Sequence, residues 1–370
     1  MLSLNDKISV RQFQILLILD VFGTGAIVLP RRAASYAAQD GWLVVAVAIF
    51  VAMVYSYIIG SLARLFPEDN FVRYTGKIVG KPLGLLISAG FVLKILLNVS
   101  LELRFFCEIV KQVLLFHTPF FVVCLAMILA GAYAAAKGYE TRARIAEILI
   151  FIVFIPLIFV LCIGAVDVDF TNLLPVLAAN PLDVLRGGFF TAFTFTGLEF
   201  ALLAYPYLQR PKRARGGAVL AIFCLGLVLT AITVITLAKF GPFDIQRQIW
   251  PVLELMDIID LPGSFIERQD ALVMSLWIVA VFAIVNASIF FLSILLKDIV
   301  KKGKHFHYIL IGIPFILLIA YLPANITQVF EMMNLLYLTF GIAYMLVIPL
   351  ALLIIAKIRG LGVRYEKDSL

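Results

Sequence analysis

The chain has 370 residues, of which 63% are hydrophobic and 14% charged, and its formal net charge is +7. Soluble domains carry about 25% charged residues, so this composition excludes a globular protein whose surface faces water. Since one bilayer crossing takes about 20 apolar residues, it predicts an all-α polytopic membrane protein in contact with lipid. The four cysteines lie in apolar segments without metal-ligand spacing, so neither a metal nor a cofactor is expected.

Ten apolar runs predict about ten transmembrane helices in a single domain that covers residues 1–370. The runs fall at residues 13–33, 42–66, 83–116, 118–136, 143–166, 187–205, 216–239, 270–297, 308–322 and 330–357. An even number of crossings puts both termini on one side of the membrane. The segments on that side hold 21 of the 30 basic residues, so the positive-inside rule predicts cytoplasmic termini. The positive charge therefore has a topological explanation, and no nucleic-acid partner is expected.

The first span carries Gly23–Thr24–Gly25 near its middle. Two glycines weaken a helix, which predicts an interruption whose free backbone groups face protein, water or a ligand. The half-helix after Gly25 would present a positive dipole end that suits a carboxylate. Asp20 would lie at the negative end of the preceding half-helix, which favours a proton or cation site. The alternatives are packing glycines and a helix-to-helix hydrogen bond of Asp20.

The third span carries Lys94, Asn98 and Glu102, which are four residues apart and therefore share one helix face. A charge at bilayer depth is costly, so each of these side chains needs a partner or a function. The three could form a ladder that locks the helix into the bundle. Alternatively, they could form a wall of the binding site whose ammonium attracts an anion. Asn98 is thus a candidate for substrate binding, and Lys94 and Glu102 are candidates for coupling.

The sixth span repeats the interruption with Thr194, Phe195, Thr196 and Gly197, followed by Glu199. Glu199 lies in the first turn of the following half-helix, where the dipole favours its charged form. It is therefore predicted to be a structural anion close to the substrate. In the eighth span, Asn286 and Ser288 could line the facing wall of the binding site or serve as packing contacts between helices.

The longest segment outside the membrane covers residues 240–269 and lies on the extracytoplasmic face. It mixes prolines, acids and Trp250, and it could be a structured connector, a gate or a docking surface for an external partner. The two halves of the chain, residues 11–166 and 186–358, are predicted to be five-helix repeats. Because each repeat has an odd number of helices, the second is inverted. Paired interruptions in inverted halves indicate a small-molecule site at mid-membrane depth.

The two interrupted segments resemble those of the amino acid–polyamine–organocation transporters. Gly23–Thr24–Gly25 is similar to their glycine-rich first-helix motif, and residues 192–199 are similar to their sixth-helix pattern. Within that superfamily, the whole chain resembles the GerAB-like spore germination permeases. Residues 140–147, 250–251 and 267–271 carry the resemblance to this branch. It implies a LeuT-like fold, a 5+5 inverted repeat with discontinuous helices 1 and 6.

The resemblance also implies a function. The chain would be the B-type subunit of a nutrient germinant receptor in the spore inner membrane of a bacterium, binding an amino acid or similar molecule. Its partners would be a larger membrane subunit and a lipoprotein subunit. The alternative is a proton-coupled amino acid transporter, which would use the same site with a different output. A membrane enzyme is disfavoured, because no clustered acids, histidines or nucleophile lie at one depth, and no catalytic residue is expected.

Overall fold

The structure is a computed structural model that describes residues 6–23, 25–166, 168–258 and 269–362. Within these ranges the chain is helical almost throughout, and the backbone bridge between Ile8 and Leu208 is isolated from any strand. The predicted all-α class is therefore confirmed.

The α-helices follow one another along the chain with short connections. In order they are α1 (Val10–Phe22), α2 (Gly25–Ala37), α3 (Gly41–Leu65), α4 (Phe71–Val79), α5 (Lys81–Val113), α6 (Phe120–Ala136), α7 (Tyr139–Gly164), α8 (Pro181–Ala192), α9 (Ala201–Ala204), α10 (Pro211–Arg247), α11 (Pro251–Ile258), α12 (Gln269–Val300), α13 (His305–Ala320), α14 (Ile326–Leu336) and α15 (Ile348–Ile358). Short 3₁₀ helices cover Ala38–Asp40, Phe170–Leu173, Leu198–Phe200 and Tyr205–Tyr207, and π-helical segments cover Tyr337–Gly341 and Ala343–Val347.

Six helical segments of the described chain are long and apolar enough to cross a membrane, and α6 and α13 are shorter apolar helices. The six are Gly25–Leu65, Lys81–Val113, Tyr139–Gly164, Pro211–Arg247, Met274–Val300 and Ile326–Ile358. Large apolar side chains on the outer face of α7 are exposed, among them Phe151, Ile155 and Phe159. Such a surface suits lipid and not water. The multi-pass membrane protein is confirmed, whereas the count of ten crossings stays a prediction.

Polar side chains explain where the first span and α7 begin, one of them local and the other from a distant part of the chain. Ser9 accepts the backbone N–H of Gln12, and the Gln12 side chain accepts the N–H of Ser9, which forms a capping box at the start of α1. Asp6 Oδ1 accepts the N–H groups of Tyr139 and Glu140 in the first turn of α7. A carboxylate there satisfies free donors and complements the helix dipole.

The two halves of the first span lie in the centre of the bundle. The half formed by α1 packs against α7, α10 and α12, and the half formed by α2 packs against α3, α8, α10 and α11. Both halves are therefore held by several neighbouring helices.

The segment that leads into α1 is joined to the segment that follows α9. The N–H of Ile8 donates to the Tyr207 carbonyl oxygen at 2.7 Å, and the N–H of Gln209 donates to the Ile8 carbonyl oxygen at 3.0 Å. The Lys7 ammonium donates to the Pro206 carbonyl oxygen at 2.6 Å. The beginning of the first span and the end of the sixth are therefore one hydrogen-bonded unit.

Candidate functional site

The first span is interrupted where its glycine motif predicts. The first half-helix ends at Phe22 and the second begins at Gly25, while Thr24 lies outside the described residues. A Cβ added to Gly23 would be 3.5 Å from the Ile284 side chain, which is ordinary van der Waals contact. Gly23 therefore packs against α12 at this point and does not face an open site.

The sixth span is interrupted after Ala192, where α8 ends. The backbone then turns to the 3₁₀ helix Leu198–Phe200, and an α-helix resumes with α9 at Ala201. Gly197 has a φ of +101°, and a Cβ added there would be 2.4 Å from the carbonyl oxygen of Asp20. No other residue type fits a left-handed backbone at that distance. The two interruptions therefore touch, with Gly197 against the end of α1.

A cavity of about 60 Å³ lies between α2 and α14 and reaches the second interruption at Thr194. Two helix faces form its walls, one from α2 and one from α14, and each contributes residues at the i, i+3, i+4 and i+7 spacing of a single helix face. Phe105 and Thr194 complete the lining. The full lining is Gly25, Val28, Leu29, Arg32, Phe105, Thr194, Phe330, Met333, Asn334 and Tyr337. It brings together Gly25 and Thr194, one sequence-predicted residue from each interruption.

Arg32 is a lining residue that was not among the site residues predicted from the sequence. Its Nη2 donates to Asn334 Oδ1 at 3.4 Å, and its Nε is enclosed without a hydrogen-bond partner in the described structure. Its position was a usable signal, because a residue seven places after Gly25 lies on the same helix face. Asn334 and Tyr337 were missed because the tenth span carries no interruption motif.

Three aromatic side chains pack together beside the cavity. The ring centroids of Phe105 and Phe330, which both line it, are 5.6 Å apart. Trp250 lies 5.1 Å from the Phe105 ring and 6.0 Å from the Phe330 ring, and its Nε1 donates to Gln112 Oε1 at 3.4 Å. Trp250 belongs to the segment 240–269, of which residues 259–268 lie outside the described chain. The described part of this segment therefore contacts the wall of the cavity.

Lys94 and Glu199 form an ion pair in the protein interior. Their side chains are 1% and 0% exposed, and Glu199 Oε2 also accepts the N–H of Gly197 at 3.2 Å. A lysine of α5 is thus connected through one carboxylate to the backbone of the second interruption. Glu102, two helical turns from Lys94, is also buried and has a partner of its own.

Asp20 and Arg142 form a second buried ion pair, with side chains 3% and 4% exposed. Arg142 belongs to the first turns of α7, so this contact joins α7 to the end of α1. The carbonyl end of α1 and the Asp20 carboxylate are both negative, so a positive charge beside them is stabilising. The Arg142 guanidinium supplies that charge. The sequence did not predict Arg142 as the partner of Asp20, because nothing local in its helix distinguishes it from its less buried neighbour Arg144.

The remaining candidate residues do not line the cavity. Asn98 is buried, and its Oδ1 has no hydrogen-bond partner in the described chain. Asn286 donates to the Gly131 carbonyl oxygen at 3.2 Å and lies beside Arg142 in a separate small cavity. The side chains of Phe195 and Thr196 are buried within the second interruption.

Known proteins are similar to this chain over most of its length. A family model described as spore germination protein matches residues 7–329. The spore germination protein YndE of Bacillus subtilis (strain 168) is 28% identical over 98% of this chain and 99% of its own length. The spore germination protein GerLB of Bacillus cereus is 25% identical over 96% of each chain.

Among solved structures, the fold is similar to that of Mhp1, a nucleobase-cation-symport-1 family transporter in a closed conformation with bromovinylhydantoin bound. The TM-score is 0.63 at 9% identity, over 88% of this chain and 75% of Mhp1, which shows a shared fold. The LeuT-like fold class predicted from the sequence is therefore confirmed. The chain belongs to the spore germination protein family, a family of multi-pass, permease-type membrane proteins and not of enzymes.

Proposed function

We propose that this chain is the permease-like subunit of a nutrient germinant receptor and binds an amino acid, or a similar small molecule, between its two interrupted spans. The cavity that Gly25 and Thr194 share is the observation that carries this proposal. The names of YndE and GerLB as spore germination proteins support the biological role. The bromovinylhydantoin bound to Mhp1 shows that a protein of this fold holds a small molecule.

The chemistry of the cavity suits a small zwitterion. One water molecule needs about 10–15 Å³ of such space, so about 60 Å³ admits a ligand with only a few heavy atoms. The α2 helix begins in the cavity at Gly25, where free N–H groups favour a carboxylate. An ammonium group would find the carbonyl oxygen of Thr194, and a short apolar side chain would find Val28 and Met333.

The output of binding would be a change in how the two interruptions pack. The ligand contacts α2, α14 and the end of α8 at once, so it favours the arrangement in which these elements are closest. The two buried ion pairs lie at the same interruptions, and Asp20, Lys94, Glu102 and Glu199 remain our candidates for proton or cation coupling. A larger membrane subunit and a lipoprotein subunit would read the change at the spore inner membrane, with both termini of this chain in the cytoplasm.

The test is a thermal-stability screen of the purified chain against the twenty common amino acids. We expect at least one small amino acid to raise the melting temperature. Gly25→Val should abolish that rise because its methyl groups enter the cavity, whereas Gly25→Ala should keep part of it, since a Cβ there is 3.6 Å from the Thr194 carbonyl oxygen. Gly216→Ala, on an open surface of α10, is the matched control. A full response of Gly25→Val would contradict the placement of the site.

A second candidate function is a proton-coupled amino acid transporter. The buried ion pairs favour it, because charged groups inside a membrane commonly mark proton or ion pathways. Proteoliposome uptake separates the two functions. Saturable binding without pH-driven accumulation of the same amino acid supports a receptor subunit, and coupled uptake by the isolated chain supports a transporter.

A further inference from the structure

Arg32 is half-buried in the wall of the cavity, and it lacks the acidic partner that Lys94, Arg104 and Arg142, the buried basic residues of the described chain, each have. Lys94 pairs with Glu199, Arg104 with Glu108 and Arg142 with Asp20. For Arg32, no ion pair with a carboxylate occurs among the described residues, and its hydrogen-bonding neighbours are neutral groups, Asn334 Oδ1 at 3.4 Å from Nη2 and the Tyr36 hydroxyl. A guanidinium always carries its charge, so this charge has no full complement in the protein itself.

The direction of the side chain brings that charge to the cavity. Side chains of a helix lean toward its N-terminus, so Arg32 leans back along the face that it shares with Gly25. Its enclosed Nε is a free donor beside the space that Gly25 and Thr194 line. None of the ten lining residues is acidic. Glu102 is buried three residues before Phe105 on α5, but it has its own partner and does not line the cavity.

The cavity therefore has a positive electrostatic character at both ends of one helix face. Arg32 provides a fixed charge, and the free N–H groups at Gly25 provide a partial one. Val28, Leu29, Phe105 and Met333 make the rest of the wall apolar, which strengthens any charge interaction by excluding water. A guanidinium binds a planar carboxylate through two parallel hydrogen bonds, a geometry that a neutral amide matches poorly.

We propose that Arg32 binds the carboxylate of the ligand and is a specificity-determining residue of this site. The site then selects small carboxylates, amino acids among them, over amides, esters and amines of the same size. This assignment rests on the proposed function only in placing the ligand within the cavity between the interruptions.

The first experiment measures binding to the full-length purified chain. The probes are the common amino acids, each paired with its amide, together with propionate and lactate as carboxylates that lack an ammonium group. We expect the wild-type chain to bind the acid at least tenfold more tightly than the amide, and Arg32→Gln to weaken acid binding about 10- to 100-fold. The Arg32→Gln variant should bind the acid and its amide with equal affinity, because it lacks the guanidinium that discriminates between them. Arg31→Gln, which changes a neighbour outside the lining, is the matched control.

If Arg32→Gln does not fold, a second variant tests the same assignment. Asn334→Asp places a carboxylate next to the guanidinium, at the position of an oxygen now 3.4 Å from Nη2. The new carboxylate should pair with Arg32 and so stabilise the chain. It should also compete with the ligand for Arg32, so the affinity for the acid falls at least tenfold whereas the affinity for the amide does not. Unchanged acid binding in Asn334→Asp would contradict the assignment.

The outcomes separate this proposal from the proposed function. Equal binding of acids and amides by the wild-type chain overturns the role of Arg32 and leaves the amino acid site intact. Binding of propionate or lactate, but of no amino acid, in an Arg32-dependent manner supports Arg32 and overturns the amino acid ligand. If none of these probes binds, both proposals are overturned.

Discussion

The backbone of Gly197 lies directly against the carbonyl oxygen of Asp20, so at this point the two interrupted spans meet through main-chain atoms. A Cβ on Gly197 would also be 3.2 Å from the Asp20 Cβ, and the backbone there has a φ of +101°. Close approach and left-handed backbone thus both require glycine at this position.

Gly197→Ala should therefore damage the fold itself, and not only ligand binding. Strain of this kind and overpacking each cost about 1–3 kcal/mol, so we expect a clear fall in melting temperature or a failure to assemble. Fluorescence-detected gel filtration during heating measures both. Gly216→Ala, with no heavy atom within 4 Å of the added Cβ, should melt like the wild-type chain. Equal melting of the two variants would mean that the interruptions do not touch.

The pair of Lys94 and Glu199 should behave as one unit in a double-mutant cycle. Lys94→Met leaves Glu199 charged and buried, which costs about 3–5 kcal/mol in proteins. Adding Glu199→Gln removes the second charge, so the double variant should be more stable than either single variant. The exposed pair of Lys77 and Asp69, 2.5 Å apart, is the control, and Lys77→Met should cost about 0–1 kcal/mol. Strictly additive effects for Lys94 and Glu199 would argue against their pairing.

The pair of Asp20 and Arg142 allows a structural role to be separated from a coupling role. Asp20→Asn should destabilise the chain, because it leaves a buried guanidinium uncompensated, and adding Arg142→Met should restore assembly in the membrane. If Asp20 takes part in coupling, spores with the assembled double variant should not germinate in response to the nutrient. Quantitative immunoblotting of the inner membrane measures assembly, and Arg144→Met, which breaks a partly exposed pair on the same helix, is the control. Full germination of spores that carry the double variant would show that the pair has only a structural role.

Trp250 should influence how tightly the cavity holds its ligand, although it does not line it. Trp250→Ala removes two aromatic contacts to Phe105 and Phe330, each of which is worth about 0.5–1.5 kcal/mol. We expect about tenfold weaker binding of the amino acid identified in the thermal screen, as measured by isothermal calorimetry. Trp277→Ala removes an equally buried tryptophan that packs against Phe106 and lines a different cavity. A larger loss of affinity in Trp277→Ala than in Trp250→Ala would contradict this role.

The sequence was sufficient for the features that local chemistry encodes. Apolar length predicted a multi-pass helical protein, and the Gly23–Thr24–Gly25 motif predicted the end of α1 and the start of α2. The break after Ala192 was predicted in the same way, from a glycine and two threonines inside an apolar run. These properties depend on residues within one or two helical turns, which a linear pattern contains.

The partners of the charged residues depend on contacts between distant segments. Lys94 and Glu102 share a face of α5, which suggested a ladder, yet Lys94 reaches Glu199, which lies 105 residues away along the chain. Arg142 pairs with Asp20 across 122 residues. Helix spacing fixes which side chains share a face, but only the packing of helices decides what that face meets. For the same reason, α14 could not be assigned to the cavity from sequence alone.

The main-chain hydrogen bonds between Ile8 and the segment of Tyr207 and Gln209 couple the entry to the first span mechanically to the end of the sixth span. A displacement of the sixth span would therefore carry Ile8 with it, since hydrogen-bonded backbones move together. If the cavity binds a ligand as proposed, this coupling would convert a shift of the sixth span into a movement of the segment that leads into the first. Such a mechanical link would let a permease scaffold report occupancy without releasing its cargo.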